Sequence, residues 1–107
     1  LGEQLMARFD IYKYNNPSIP LVLDVQADLL SGLNTCVVIP LVPEQAAKHE
    51  ALPKLKPIIK VGGKNYVLMT TDIGTLTRAS LGEKVSNIEN EHRQTIVEAL
   101  DFLFQGF

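Results

Sequence analysis

Apolar and polar positions change their period along this chain. Up to about Ser80 the apolar residues come in short runs or alternate, with Gly, Pro and Asn between them. Beyond Ser86 they recur every third or fourth residue. The first regime predicts strands and the second a helix. Arg8–Tyr14 is rich in aromatic and branched groups and predicts a strand. Asn15-Asn16-Pro17-Ser18 is a turn cluster. Leu21–Val25 predicts a second strand, with Pro20 at its start. Asp28–Leu33, punctuated by Gly32, interrupts the pattern. Thr35–Ile39 predicts a third strand, ended by Pro40, with Leu41–Pro43 as further extended chain. Glu44–His49 favours a helical turn with Pro43 at its first position. Pro53 and Pro57 bracket an irregular link. Ile58–Val61 and Tyr66–Met69 flank Gly62-Gly63-Lys64-Asn65, the clearest hairpin signal here. Gly74 and Gly82 mark turns around a short strand near Leu76–Ser80. At least five short strands joined by Gly/Pro turns predict a small barrel or sandwich.

The helix is better defined. Ser86 and Glu89 have the spacing of a capping box. Glu89 and Glu91 complement the positive end of the helix dipole. Ile88, His92, Ile96, Ala99, Leu100, Leu103 and Phe107 make one stripe, with Val97 and Phe104 on its flank. Gln94, Glu98, Asp101 and Gln105 lie largely opposite. Gly106 suits the helix end because it tolerates a left-handed backbone. The last six residues, Phe102-Leu103-Phe104-Gln105-Gly106-Phe107, hold three phenylalanines. Chain ends are ordinarily polar and frayed. This one is expected to be covered, by the chain's own core or by a second molecule, which points to work by contact.

Size and charge narrow the field. A chain of 107 residues predicts one domain, 1–107, with Leu1–Leu5 an upstream extension if Met6 is the natural start. Apolar residues make up 46% and charged ones 21%, an ordinary globular balance. A net charge of −2 without a basic stripe argues against general nucleic-acid binding. Cys36 is the only cysteine, which excludes an internal disulfide and fits a reducing, cytoplasmic setting. It lies in an apolar run and is expected to be a buried filler. No apolar stretch is long enough to span a membrane.

Catalytic chemistry is sparse. There is no phosphate loop, and one cysteine with two histidines offers no metal-ligand spacing. His49 reads as a solvated group. His92, on the apolar stripe, reads as packed rather than as a general base. Thr70-Thr71-Asp72 at a strand end reads as turn structure rather than an activated hydroxyl. Asp24, among apolar neighbours, is either an outward-facing carboxylate or part of a buried network. Phe9, Tyr12 and Tyr14 are either core or part of a binding surface, with core favoured.

Several blocks together go beyond periodicity. They are Phe9-x-x-Tyr12-x-Tyr14, then Leu23-Asp24-Val25-Gln26-Ala27-Asp28-Leu29-Leu30, Val37-Val38-Ile39-Pro40-Leu41 and Met69-Thr70-Thr71-Asp72-Ile73. A helix ending in Gly106 plus one apolar residue follows. From Met6 onward the chain resembles the CcdB family of plasmid and chromosomal toxins. The resemblance implies a mainly β fold: a small SH3-like β-barrel, shared with the Kid and MazF toxins, with a C-terminal α-helix. It implies a two-fold homodimer, no catalysis and no cofactor. It further implies a plug that binds the DNA gyrase A subunit and traps the enzyme on cleaved DNA. A cognate CcdA-like antitoxin would neutralise it, and the pair would bind operator DNA and repress their own operon.

On the same resemblance the gyrase-contacting residues are Gln105, Gly106, Phe107 and Asp101 on the helix. Phe9 and Tyr12 on the first strand, and Ala27, Leu29 and Leu30 on the following loop, complete the set. Met69, Leu103 and Phe107 would form the dimer interface. The best-known relative has tryptophan and isoleucine around the terminal glycine, where this chain has Gln105 and Phe107. An aromatic anchor of the kind worth ~2 kcal/mol is thereby absent. Two alternatives accompany gyrase poisoning: a homologue that only binds antitoxin, and a MazF-like endoribonuclease. The latter would need a basic groove, whereas the ten Lys and Arg are scattered along the chain.

Overall fold

A long central strand organises the molecule, seen in a computed structural model that describes residues 6–107. Leu1–Leu5, expected as an upstream extension, lie outside the described residues. β1 (Asp10–Tyr14) and β2 (Leu21–Asp24) are followed by β3 (Thr35–Pro43). A short helix α1 (Glu44–Ala47) leads to the hairpin β4 (Ile58–Val61) and β5 (Lys64–Leu68). β6 (Gly74–Thr77), β7 (Leu81–Asn87) and the helix α2 (Glu89–Gln105) complete the chain. The strands form one antiparallel seven-stranded sheet in the order β4-β5-β3-β2-β1-β7, with β6 also on β3. The sheet curls into a half-barrel, a mainly β fold of the small SH3-like kind with a C-terminal helix.

β3 pairs β2 along one side, while its other side pairs β6 at Thr35–Val38 and β5 at Leu41–Pro43. Pro40 does not end the strand as expected; it sits within it. Its missing N–H falls where the partner changes from β6 to β5, so no ladder bond is lost. Its carbonyl still accepts from Met69 N at 2.9 Å. The hairpin is tighter than expected: Gly62 and Gly63 alone make the turn, with φ of 59° and 81°. Positive φ at both positions is the two-residue turn that matches strand twist.

β7 escapes the sequence pattern because most of its side chains face water and are polar. It is an edge strand on β1, with charges at Glu83 and Lys84 that discourage further pairing. Gly82 is a close-approach position inside it, not a turn. A Cβ there would stand 2.9 Å from Lys13 O. Gly82→Ala is expected to destabilise the domain by about 1–3 kcal/mol by forcing β1 and β7 apart; urea unfolding measures it.

The main core lies between the curled sheet and α2, built on Phe9, Ile11, Leu23, Ile39, Leu41 and Ile96. Tyr12, Val22, Cys36 and Val38 form a second cluster. The capping box does not form: Ser86 belongs to β7, and Asn87 Oδ1 accepts from Glu89 N at 3.0 Å. Pro43 stands at the cap of α1, one residue before the position expected. No helix among the described residues is long and apolar enough to cross a membrane.

Candidate docking surface

The end of α2 projects its apolar groups into water. Ile96 and Ala99 are buried, but toward the C-terminus the stripe outruns the sheet. Phe102 and Leu103 are half-buried, and Phe104 and Phe107 are 70% and 80% exposed. Gly106 stops the helix with φ 83° and donates its N–H to Phe102 O at 3.0 Å. Gln105 and Asp101 are exposed, and Gln105 Nε2 donates to Asp101 Oδ1 at 3.4 Å. Beside this end, Lys54, Glu98, Asp101, Phe102 and Phe107 line a shallow hollow of about 270 Å³.

A second apolar patch lies on the loop between β2 and β3. Leu29 is 93% exposed, Leu30 44% and Leu33 49%, beside an exposed Ala27. The resemblance does not name Leu33, although its spacing from Leu29 and Leu30 in a Gly-containing loop is a usable signal. Phe104, on the flank of the helix stripe, is a further exposed group that the resemblance does not name. Arg93, in the first turns of α2, lies over the Phe9 ring, and Phe104 stands roughly 16 Å further along the helix axis.

Phe9 and Tyr12 do not belong to this surface. The Phe9 ring is fully buried in the main core, with Arg8 4.8 Å and Arg93 5.5 Å from its centroid. Its φ of 75° is unusual for a bulky residue. The backbone is held there by Phe9 N donating to Asp24 O at 2.7 Å and Ile88 N donating to Phe9 O at 3.0 Å. Tyr12 is 7% exposed. The core alternative for the aromatic ladder is thus the one seen, with Tyr14 half-buried. Met69, expected at a dimer interface, is buried with Val67 and Ala47. In the single subunit Phe9, Tyr12 and Met69 are committed to packing, each in a different buried cluster.

Polar groups beneath β1 hold it in place. Asp10 is fully buried and accepts from Tyr12 Oη at 2.9 Å, Asn87 Nδ2 at 2.9 Å and Ala7 N at 2.8 Å. Lys84 Nζ stands 3.4 Å away. Sequence reasoning missed Asp10, since nothing local distinguishes it from an exposed strand carboxylate. Burial, and then the bond to Asp10, push the Tyr12 hydroxyl pKa upward. Burial, and then Asp24, push the Cys36 thiol up to about 12, so this cysteine is an inert filler. Asp24 resolves to the buried alternative: it is 2% exposed and accepts from Gln26 N at 2.8 Å. His92 is half-buried, with Nε2 3.2 Å from Lys60 O, and His49 is exposed.

Burial raises the pKa of Asp24 above its ordinary value of 3.8. The folded chain therefore holds this proton more tightly than the unfolded chain does. Its contribution to stability is complete below the unfolded pKa and is lost as pH rises through the raised one. Asp24→Asn is expected to remove that part of the pH dependence. Urea midpoints of both proteins between about pH 4 and pH 7 measure the difference.

The family model described as CcdB protein matches residues 8–106. The chain belongs to the CcdB family. Among solved structures, the chain is similar to an endoribonuclease from a mycobacterial species, with TM-score 0.70 and 17% identity over 94% of this chain and 92% of that one. It is also similar to an endoribonuclease in complex with its cognate antitoxin from a mycobacterial species. There the TM-score is 0.66 and the identity 17% over 92% of each chain. At such identity the likeness shows a shared fold: the curled sheet of this chain is common to them. Thr70-Thr71-Asp72, part of the block that carried the resemblance, forms a helical turn. Thr70 is buried there with its hydroxyl donating to Leu68 O, the structural role expected.

Proposed function

We propose that this chain is the toxin of a toxin–antitoxin module and acts as a non-catalytic plug on the gyrase A subunit. The observation that carries the proposal is the helix end, where Phe104 and Phe107 stand in water around Gly106. A lone domain gains nothing from such exposure, whereas a docking protein gains its anchors from it. Family membership supplies the toxin role. In this proposal the contacts are Gln105, Gly106, Phe107, Asp101, Ala27, Leu29 and Leu30. Phe9 and Tyr12 support them from inside. Two subunits associate with Leu103 and Phe107 near the two-fold axis, and a cognate antitoxin covers the apolar surface. Operator DNA is bound only by that complex.

An endoribonuclease is the second reading, favoured by the activity of the two fold relatives and by one feature of this chain. A groove of about 600 Å³ beside the Gly62-Gly63 turn is lined by Lys60, Lys64, Glu44, Asn65 and Tyr66. Against it, Glu44 accepts from Asn65 Nδ2 at 3.2 Å, and none of the three arginines lines the groove. Arg8, Arg78 and Arg93 are engaged elsewhere with backbone carbonyls or Glu89. Supercoiling by purified gyrase, with RNA cleavage assayed on the same preparation, separates the readings. Covalent gyrase–DNA complexes are the expected result. RNA cuts without them would establish the ribonuclease, and silence in both would leave an antitoxin-binding homologue.

A further inference from the structure

The polar residues of Asp24-Val25-Gln26-Ala27-Asp28 bind backbone rather than face outward. Asp24 Oδ1 accepts from Gln26 N. The Gln26 side chain spans the loop: its Nε2 donates to Leu30 O at 3.3 Å and Thr35 O at 3.2 Å, and its Oε1 accepts from Val37 N at 3.2 Å. Asp28 Oδ1 accepts from Arg8 N at 2.6 Å, and Arg8 Nε donates to Val25 O at 3.1 Å. From the far side, the Arg78 guanidinium donates to Leu33 O and, at 3.3 Å, to Leu30 O. The Arg78 backbone donates to Asn34 O at 2.8 Å. A surface loop is ordinarily among the most mobile parts of a fold. This one has its carbonyls fastened from both ends and across its middle, yet it holds three leucines in water.

We infer that Gln26 and Arg78 are positioning residues that hold the Leu29–Leu30–Leu33 loop in a preformed shape for docking on an apolar protein surface of the toxin's target. This rests on the proposed plug function. The chemistry of the occupant follows from the loop's face. Asp28 is its only charged residue, and that carboxylate is engaged by Arg8 N. The flanking Arg8 and Arg78 are turned onto carbonyls, so the face offers no cation for phosphates or lipid headgroups. A face of three leucines with one anionic group and no cation matches an apolar protein patch. Holding it rigid beforehand removes the ordering cost of association.

The test compares Arg78→Met, Gln26→Ala, Arg78→Lys and Leu29→Ser with the wild type, in the full chain. Amide hydrogen exchange of the free proteins is followed at Leu30, Ser31 and Leu33, with Ile39 and Leu41 as core references. Growth arrest on expression is measured in parallel. Arg78→Met and Gln26→Ala are expected to speed loop exchange at least tenfold, leave the core amides unchanged and weaken growth arrest at least tenfold. Arg78→Lys, which keeps a donor but not the fork, should recover part of both. Leu29→Ser should lose arrest without loosening the loop. Loop amides that stay protected in both clamp variants overturn the inference, as does a loosened loop with full toxicity. Growth arrest by the wild type without covalent gyrase–DNA complexes overturns the gyrase target while the variants still decide the loop's role. A wild type that leaves growth untouched overturns the plug function and the docking role together.

Discussion

Gly106→Glu is expected to abolish toxicity while the chain remains folded. At this position the fold asks for little. A Cβ would meet nothing within 4 Å, and the cap bond from the residue 106 amide to Phe102 O needs no side chain. The cost lies in the backbone: φ is 83°, where an L-residue is strained by about 1–2 kcal/mol. For a domain of this size that lowers Tm by roughly 5–15 °C. Docking asks for much more. The new carboxylate would precede the exposed Phe107 in the chain, and burying it unpaired in an apolar contact costs several kcal/mol, or more than about 100-fold in affinity. Thermal unfolding, sedimentation and cell survival are measured together. Cells that still die, with a folded variant, would remove the helix end from the mechanism.

Phe9→Ala is expected to cost about 3–5 kcal/mol of stability, enough to lower Tm by ~15 °C or more. Phe9 is among the largest fully buried side chains, and its removal opens a cavity under α2, between Arg8 and Arg93. Alanine at φ 75° keeps the strain and loses the packing that offsets it. The family resemblance places Phe9 at a contact with gyrase, and the structure places it in the core, so the two make opposite forecasts. A docking residue would lose toxicity at unchanged Tm. A core residue loses Tm first, and toxicity only in proportion to the unfolded fraction. Chemical denaturation of the purified variant, compared with Leu29→Ser, separates them, since Leu29 is 93% exposed and supports no core.

Features set within a few residues were legible beforehand. The Gly62-Gly63 hairpin follows from backbone sterics that act at the turn itself. The period of α2 and its stop at Gly106 follow from helix geometry and from the freedom of glycine at positive φ. The apolar tail was visible because three phenylalanines in six residues need no partner to be noticed. The mainly β class followed from the run lengths between Gly and Pro.

Features that depend on a distant partner were not legible. Pro40 looked like a strand end, because its tolerance comes from the gap between β5 and β6 on the far side of β3. The sequence reads Gly82 as a turn and Ser86 as a helix cap rather than as parts of β7, because an edge strand facing water carries no hydrophobic alternation, and its ladder comes from β1, far away in the chain. Asp10 became a buried anchor only when Tyr12, Asn87 and Lys84 met around it. The bonds from Gln26 and Arg78 to the leucine loop join residues as far apart as Arg78 and Leu30. By itself the sequence determined local conformation and the presence of an apolar end. Tertiary structure alone decided which aromatic groups are core and which leucines face water, because burial is a property of the neighbours a fold assembles.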